Sequence, residues 1–161
     1  MRVVTSFVVL AISIPAFAEE RTGDQSGITP EMIVIPAGSF RMATHMEGTA
    51  GPVHTATLSE YQIARYEVTN ALWAKVVTWA TANEYFFFSS GSGSNDTVNL
   101  PVTGISWRDA VVWCNALSEM SGLTPAYYKA VAHNAAFVLR NSSEAADLKN
   151  PQVDWSANGY R

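Results

Sequence analysis

The chain has 161 residues and carries 10 Lys plus Arg against 14 Asp plus Glu, a formal net charge of −4. This acidic balance argues against nucleic acid or an anionic membrane surface as a partner. Hydrophobic residues make up 48% of the sequence and charged residues 15%, which is typical of a globular domain and excludes a largely disordered chain.

The first 18 residues have the pattern of an export signal. Arg2 precedes an apolar run at 3–14 that is too short to span a bilayer, and Ala16-Phe17-Ala18 matches a cleavage site that needs small residues. Cleavage there would make Glu19 the mature N-terminus of a secreted or periplasmic protein. The alternative interpretation is an uncleaved core strand or an anchor. We expect 1–18 to be the signal peptide, 19–28 a flexible leader and 29–161 the domain.

Short strands are predicted in the first part of the domain. Met32–Ile35 is a β-branched run that Pro36 and Gly38 end, and an extended pattern resumes at 39–42, which predicts a strand pair joined by a turn. Polar and apolar residues alternate at 55–60, and a second extended run follows at 62–68. Two further strands are therefore expected.

A first helix is predicted after Thr69, whose hydroxyl can cap it, with Asn83 as a plausible end. Its apolar face comprises Leu72, Trp73, Val76, Val77 and Ala80. Trp73 and Trp79 are expected to be core residues and not ligand platforms, because aromatic side chains on helices usually pack inward.

An aromatic run, Tyr85 to Phe88, precedes a Ser/Gly-rich loop at 89–94. The aromatic side chains either pack under the loop as an extension of the core or line a recognition surface. We favour burial, because no polar residues converge on this run as they would in a binding site.

The stretch 100–128, LPVTGISWRDAVVWCNALSEMSGLTPAYY, predicts a second helix with defined ends. Ser106 and Asp109 have the spacing of a capping box. Gly122 can adopt the left-handed conformation after the last turn, and Pro125 prevents continuation. The apolar stripe consists of Trp107, Ala110, Val111, Cys114 and Leu117, widened by Trp113, Ala116 and Met120. One side of this helix is expected to be buried along most of its length.

This stretch resembles the central signature of the formylglycine-generating enzyme family, also called the sulfatase-modifying-factor family. Three more blocks resemble that family in the same order: MIVIPAGSFRM at 32–42, GPVHTATLSEYQIARYEVTNALWAKV at 51–76 and VDWSANGYR at 153–161. The resemblance implies an α+β, C-type-lectin-like fold, of which about half is present, with two main helices and short strands. Its best-known members oxidise a sulfatase cysteine to Cα-formylglycine, using oxygen and a copper ion held by two cysteines, and other members are non-catalytic binding modules.

The resemblance also implies that the copper cysteines and the calcium ligands of the fold lie in the C-terminal half, beyond the matched blocks. No catalytic, cofactor-binding or metal-binding residue is therefore assigned, and no cofactor is expected in this chain. Whether the protein is an enzyme is left open.

The residues that could carry chemistry all have structural interpretations. Cys114, the only cysteine, lies on the apolar stripe without a basic neighbour, so we expect a core residue and not a nucleophile. The three histidines, His45, His54 and His133, lack the spacing of metal ligands. Glu67 and Asp109 lie at the starts of elements, where helix capping or the helix dipole accounts for them.

Three functional hypotheses remain. The chain could be the N-terminal part of an exported formylglycine-generating protein, inactive until the other half is supplied; a non-catalytic lectin-like binding or structural module; or a truncated product without its own function. The partners expected are a sulfatase-like protein or a complementary C-terminal half. We also expect the apolar faces around Trp107, Trp113 and Trp155 to lack a covering layer.

Overall fold

The computed structural model describes residues 30–42, 53–89, 91, 97–143 and 151–161, and the backbone alone of 11–13, 45–46 and 49–50. The secondary structure of these residues consists of two α-helices and short antiparallel strands, which confirms the predicted α+β class. Neither helix in this described part has the length and apolarity that a bilayer crossing requires.

The two helices, α1 (Asn70–Thr81) and α2 (Trp107–Met120), pack against each other and form the centre of the core. Trp73 of α1 and Trp113 of α2 are both buried, and their rings stack with centroids 5.3 Å apart and planes 4° from parallel. The side chains buried around them include Val68, Val76, Ala80, Val102, Val112, Ala116, Leu117 and Leu139. Of the two tryptophans predicted to be core residues, Trp73 is therefore confirmed, and Trp79 is partly buried against the core.

The ends of α2 follow from local sequence, as predicted. Ser106 Oγ accepts from the Asp109 N–H at 3.1 Å, and Asp109 Oδ2 accepts from the Ser106 N–H at 3.2 Å, which completes the capping box. At the other end Gly122 has φ 70°, and the Leu123 N–H donates to the Ser118 carbonyl at 2.8 Å. Thr69 likewise caps α1, because its Oγ1 accepts from the Leu72 N–H.

The strands form one long interrupted hairpin between 32 and 64. β2 (Met32–Ile35) pairs with β7 (Tyr61–Ala64), and β3 (Gly38–Met42) pairs with β6 (His54–Leu58). The short strands β4 (His45–Met46) and β5 (Thr49–Ala50) pair nearer its tip. β1 (Ala11–Ser13) lies along the other side of β7, so the order of the three-stranded sheet is β1-β7-β2.

This pairing corrects the predicted one. The segments 32–35 and 38–42 are strands, but they do not pair with each other; each pairs with a strand from the returning arm of the hairpin. Pro36 lacks an N–H and interrupts the ladder without reversing the chain. The second predicted run, 62–68, also ends earlier than expected, at Ala64.

Among the described residues beyond α2, at 121–143 and 151–161, there is little regular structure, and Asn115 holds two of these loops. β8 (Tyr127–Tyr128) pairs with β9 (Gln152–Val153), and a 3₁₀ turn spans Ala135–Phe137. The fully buried Asn115 donates through Nδ2 to the carbonyls of Tyr127 (2.7 Å) and Leu139 (3.0 Å), and its Oδ1 accepts from the Tyr127 N–H. One amide therefore fixes two loops to the helix.

Asp109 and Ser118 of α2 act on other loops in the same way. Asp109 Oδ1 accepts from the N–H groups of Phe88 (3.0 Å) and Ser89 (3.4 Å), in addition to its capping role. Ser118 Oγ accepts from the Tyr160 N–H at 2.8 Å. The C-terminal loop is packed so closely that a Cβ atom on Gly159 would collide with a backbone carbonyl.

Two predictions about tryptophan burial are wrong in part. Trp107, placed on the buried stripe, is 55% exposed and is the first residue of α2. Trp113, expected to lack a covering layer, is fully buried against Trp73. The expected exposure of Trp107 and Trp155 is confirmed.

Candidate functional site

Cys114 lies in the core, as its position on the apolar stripe predicts. It is 4% exposed, and burial raises the pKa of its thiol to about 12. The thiolate is the form of cysteine that attacks electrophiles and binds metals. At neutral pH only roughly one molecule in 10⁵ would carry it, by the difference between pH and pKa. This thiol is poorly suited to nucleophilic or redox chemistry.

The structure describes the side chains of two of the three histidines, His54 and His133. His133 Nδ1 lies 3.7 Å from Asp154 Oδ2, and its ring packs 4.9 Å from that of Tyr128. His54 is exposed on β6, whereas the side chain of His45 lies outside the described residues. Within the described ranges no three His, Cys, Asp or Glu side chains are close enough to hold a metal ion.

The copper site implied by the family resemblance does not fit this chain. Such a site needs two cysteine thiolates, and the sequence contains one cysteine, buried in a helix. The residues present therefore supply neither the second thiolate nor an accessible first one.

A charged cluster that the sequence did not reveal joins Tyr85, Glu119 and Arg140. Arg140 binds Glu119 through two nitrogens, each at 2.6 Å, and lies 4.9 Å from the centre of the Tyr85 ring. The Tyr85 hydroxyl donates to Glu119 at 2.9 Å. Burial and the neighbouring Glu119 charge raise the pKa of Tyr85 well above its usual range.

This cluster is structural rather than catalytic. Both carboxylate oxygens of Glu119 accept hydrogen bonds from the guanidinium group of Arg140, so Arg140 does not present a free pair of donors to an anionic ligand. The three residues are far apart in sequence and have no motif in common. Their contact joins the segment after α1 and the segment near 140 to the last turn of α2.

Glu67 and Asp109 are placed differently. Asp109 is fully buried in its capping box, whereas Glu67 is exposed and lines a cleft of 170 Å³ beside the start of α1. The other residues of the cleft are Pro30, Glu31, Tyr66, Thr69 and Leu72. Glu31 accepts a 2.7 Å bond from Arg65. The cleft is small, and its two carboxylates come from Glu31, just before β2, and Glu67, two residues before the N-cap of α1.

The aromatic run 85–88 divides between core and surface. Tyr85 is 4% exposed and Phe87 packs partly against the core, but Phe86 is 54% and Phe88 81% exposed. The predicted burial is thus correct for alternate residues only, because the segment is extended and successive side chains point in opposite directions.

One face of the β3–β6 ribbon exposes several apolar side chains. Side chains alternate along each strand, so Phe40 and Met42 project on the same face as Leu58, while Ser39 and Thr57 pair through their hydroxyls on the other face. Phe40, Met42 and Leu58 are 49%, 46% and 44% exposed. We call these three side chains the ribbon's apolar face. The sequence did not reveal this face, because β3 was predicted to pair with β2 and not with β6.

Comparison with known proteins places this geometry in a family. The model of the sulfatase-modifying factor enzyme 1-like domain matches residues 18–156, most of the chain. The chain belongs to the sulfatase-modifying factor family. The predicted resemblance is therefore confirmed, and the two helices with short strands are the family's fold as it appears in this protein.

Three matched relatives each share about a quarter of the aligned residues with this sulfatase-modifying factor family member. The chaperone protein LppX of Paenibacillus barcinonensis is 25% identical over 141 residues, which cover 87% of this chain and 44% of LppX. The crystal structure of CarF matches with 26% identity and a TM-score of 0.63, covering 83% of this chain and 52% of CarF. Variable protein 1 of Treponema denticola matches with 26% identity and a TM-score of 0.54, covering 81% and 48%. The chain spans about half the length of these relatives.

Proposed function

We propose that this protein is an exported member of the sulfatase-modifying factor family that does not oxidise cysteine by itself and acts with a partner polypeptide carrying the remainder of the domain. The burial of the single thiol, Cys114, supports the proposal that the chain does not oxidise cysteine by itself. A single buried thiol with a pKa of about 12 supplies neither a redox pair nor a copper site. A sulfatase-like protein is the candidate substrate of the assembled pair.

The need for a partner is supported by what the matched relatives contain in addition. LppX and CarF each extend about as far again as the part that this chain matches. The described surface offers apolar side chains for contact with such a partner, above all the ribbon's apolar face.

The ribbon alone is too small an interface. Fully burying a large apolar side chain contributes about 1.5–3 kcal/mol, and these three are already about half buried, so their sum is roughly 3 kcal/mol. Association costs an estimated 4 kcal/mol or more in lost translational and rotational freedom. A stable complex must therefore include further contacts.

The catalytic part of the proposal is tested with purified protein, a cysteine-containing sulfatase peptide, copper and oxygen. Mass spectrometry should show no conversion of the peptide cysteine to an aldehyde above a control without protein. An active formylglycine-generating enzyme in the same buffer verifies the assay. Turnover by this chain alone would overturn the proposal.

The partner is tested separately by co-expressing this chain with the portion of CarF that it does not match. We expect a one-to-one complex on size-exclusion chromatography with light scattering. The matched portion of CarF serves as the control, because it duplicates this chain and should not form that complex. Absence of a complex with the unmatched portion would contradict the proposed partner.

A second candidate is a non-catalytic module that binds polypeptides. The ribbon's apolar face favours it, and one relative is named a chaperone. Under this function the protein should suppress aggregation of a denatured client, and Phe40→Ser with Met42→Ser should abolish the effect. The matched control is Ser39→Ala with Thr57→Ala, on the polar face of the same ribbon, which should retain it. Equal activity of the two double variants would exclude this face as the client site.

A further inference from the structure

The sheet edge next to β7 is occupied by part of the predicted export signal. Ala11–Ser13 pairs antiparallel with β7, with Ala11 opposite Ile63, Ile12 opposite Gln62 and Ser13 opposite Tyr61. These three residues lie inside the segment 1–18 that cleavage after Ala18 would remove. Export would therefore take away one neighbour of the middle strand of this sheet.

Two alternate side chains of β7 are buried while β1 is paired with it. Gln62 is 6% and Ala64 9% exposed, although both belong to a strand that would become an edge after cleavage. Within the described residues Gln62 Oε1 is buried and accepts no hydrogen bond. After cleavage the main-chain N–H and C=O groups on this edge of β7 would lose their partners in β1, and an unpaired strand edge is a template for pairing with another chain.

We propose that the edge of β7 covered by Ala11–Ser13 is a strand-docking site, which the leader occupies in the precursor and which an extended apolar strand of the polypeptide carrying the remaining half of the domain occupies after cleavage. The inference rests on the proposed function, which supplies both the export step and the partner. It adds the contacts that the ribbon's apolar face lacks, because strand addition contributes main-chain hydrogen bonds as well as apolar burial.

The occupant follows from the segment that already lies there. The leader strand comes from the run VVLAISIPA at 8–16, so the edge accepts an extended apolar segment in antiparallel register. The matched relatives carry about half of their length outside the matched part, and that half is the source of a replacement strand.

The test uses the full chain and hydrogen exchange at the amides of β7. Ala11→Pro with Ile12→Pro removes a ladder donor whichever way the leader N–H groups face, because neighbouring N–H groups point in opposite directions. Exchange at the leader-facing amides of Tyr61–Ala64 should become at least tenfold faster. Ala11→Val with Ile12→Val is the matched control and should leave exchange unchanged.

The probe for the vacant edge is a peptide of sequence VVLAISIPA with a lysine tail. Added to the proline variant, it should restore slow exchange at the same amides. N-methylation of the peptide at Ile12 alone should differ at least tenfold in affinity from N-methylation at Ala11 and Ser13 together, because only alternate N–H groups face the partner strand. Equal binding of the two methylated peptides would show that it does not bind by strand addition.

A second variant keeps the test decisive if the proline variant fails to fold. A protease site inserted after Ala18 allows the full chain to be folded first and cut afterwards, with no substitution in any strand, and the peptide should then displace the released leader. Unchanged exchange in both variants, or a dimer in which a second copy protects β7, would overturn the proposal. If the CarF portion still forms its complex while these tests fail, only the docking edge is refuted and the proposed function stands.

Discussion

Replacing Asn115 with Ala tests whether buried polar side chains of α2 hold the irregular half of the domain. The substitution removes three hydrogen bonds, two donated by Nδ2 and one accepted by Oδ1. The Tyr127 carbonyl keeps a partner, because it also accepts from the Leu139 N–H. The Leu139 carbonyl and the Tyr127 N–H lose the bonds that Asn115 supplies.

The expected cost follows from these two groups. An unsatisfied buried group costs about 1–3 kcal/mol, and the Tyr127 N–H is discounted because Tyr127 is only partly buried. With the cavity left by the amide, Asn115→Ala should lower the free energy of unfolding by about 3 kcal/mol. A typical domain has only about 5–15 kcal/mol in total, so the effect is large.

The assay is urea unfolding followed by circular dichroism, with the slope against urea checked for constancy. Cys114→Ala is the matched control, since Cys114 is the adjacent buried residue and its side chain makes no hydrogen bond among the described residues. Exchange at the Tyr127 amide should also become faster in Asn115→Ala alone. A cost no greater than that of the control would refute the anchoring role of this amide.

Three further predictions concern Cys114, Gly159 and the export signal. Cys114→Ala should lower the free energy of unfolding by about 1–2 kcal/mol. Because burial raises the thiol pKa to about 12, the thiol stabilises the fold below the pKa of the unfolded thiol, and this contribution is lost as the pH rises towards 12. Labelling of the native protein at pH 8 at the rate of a free thiol would contradict the burial of Cys114. Gly159→Ala should lower the free energy of unfolding by at least about 2 kcal/mol, because the new Cβ would collide with a backbone carbonyl. Gly122→Ala should lower it by about 1 kcal/mol, because φ is 70° there but the space is open. Chemical unfolding compares the two variants, and equal losses of stability would contradict the close packing at Gly159. Sequencing of the exported protein should begin at Glu19 and Ala18→Leu should leave the precursor uncut, whereas any other N-terminus would refute the cleavage site.

Local signals in the sequence were sufficient for the helices. Ser106 with Asp109, Thr69 and Gly122 each act through groups within a few residues, so both helix starts and the end of α2 could be predicted. The burial of Cys114 followed from helical periodicity for the same reason.

Non-local contacts account for what the sequence did not reveal. Pro36 showed where a strand is interrupted but not which strand it pairs with, because register depends on residues more than 20 positions away. The anchoring roles of Asn115 and Ser118 and the contact between Glu119 and Arg140 depend on where distant loops pass. One available signal was overlooked: Asn115 and Ser118 are polar residues within the apolar helix, and a buried polar residue needs a partner.

The side chains of α2 that hold the loops bind main-chain atoms. Asp109, Asn115 and Ser118 contact N–H and C=O groups of residues 88–89, 127, 139 and 160, and every amino acid except proline offers both groups. These contacts therefore do not depend on which side chains the loops carry at these positions. A scaffold attached in this way can accept new loop sequences, and with them new surfaces, while the anchors on the helix stay the same.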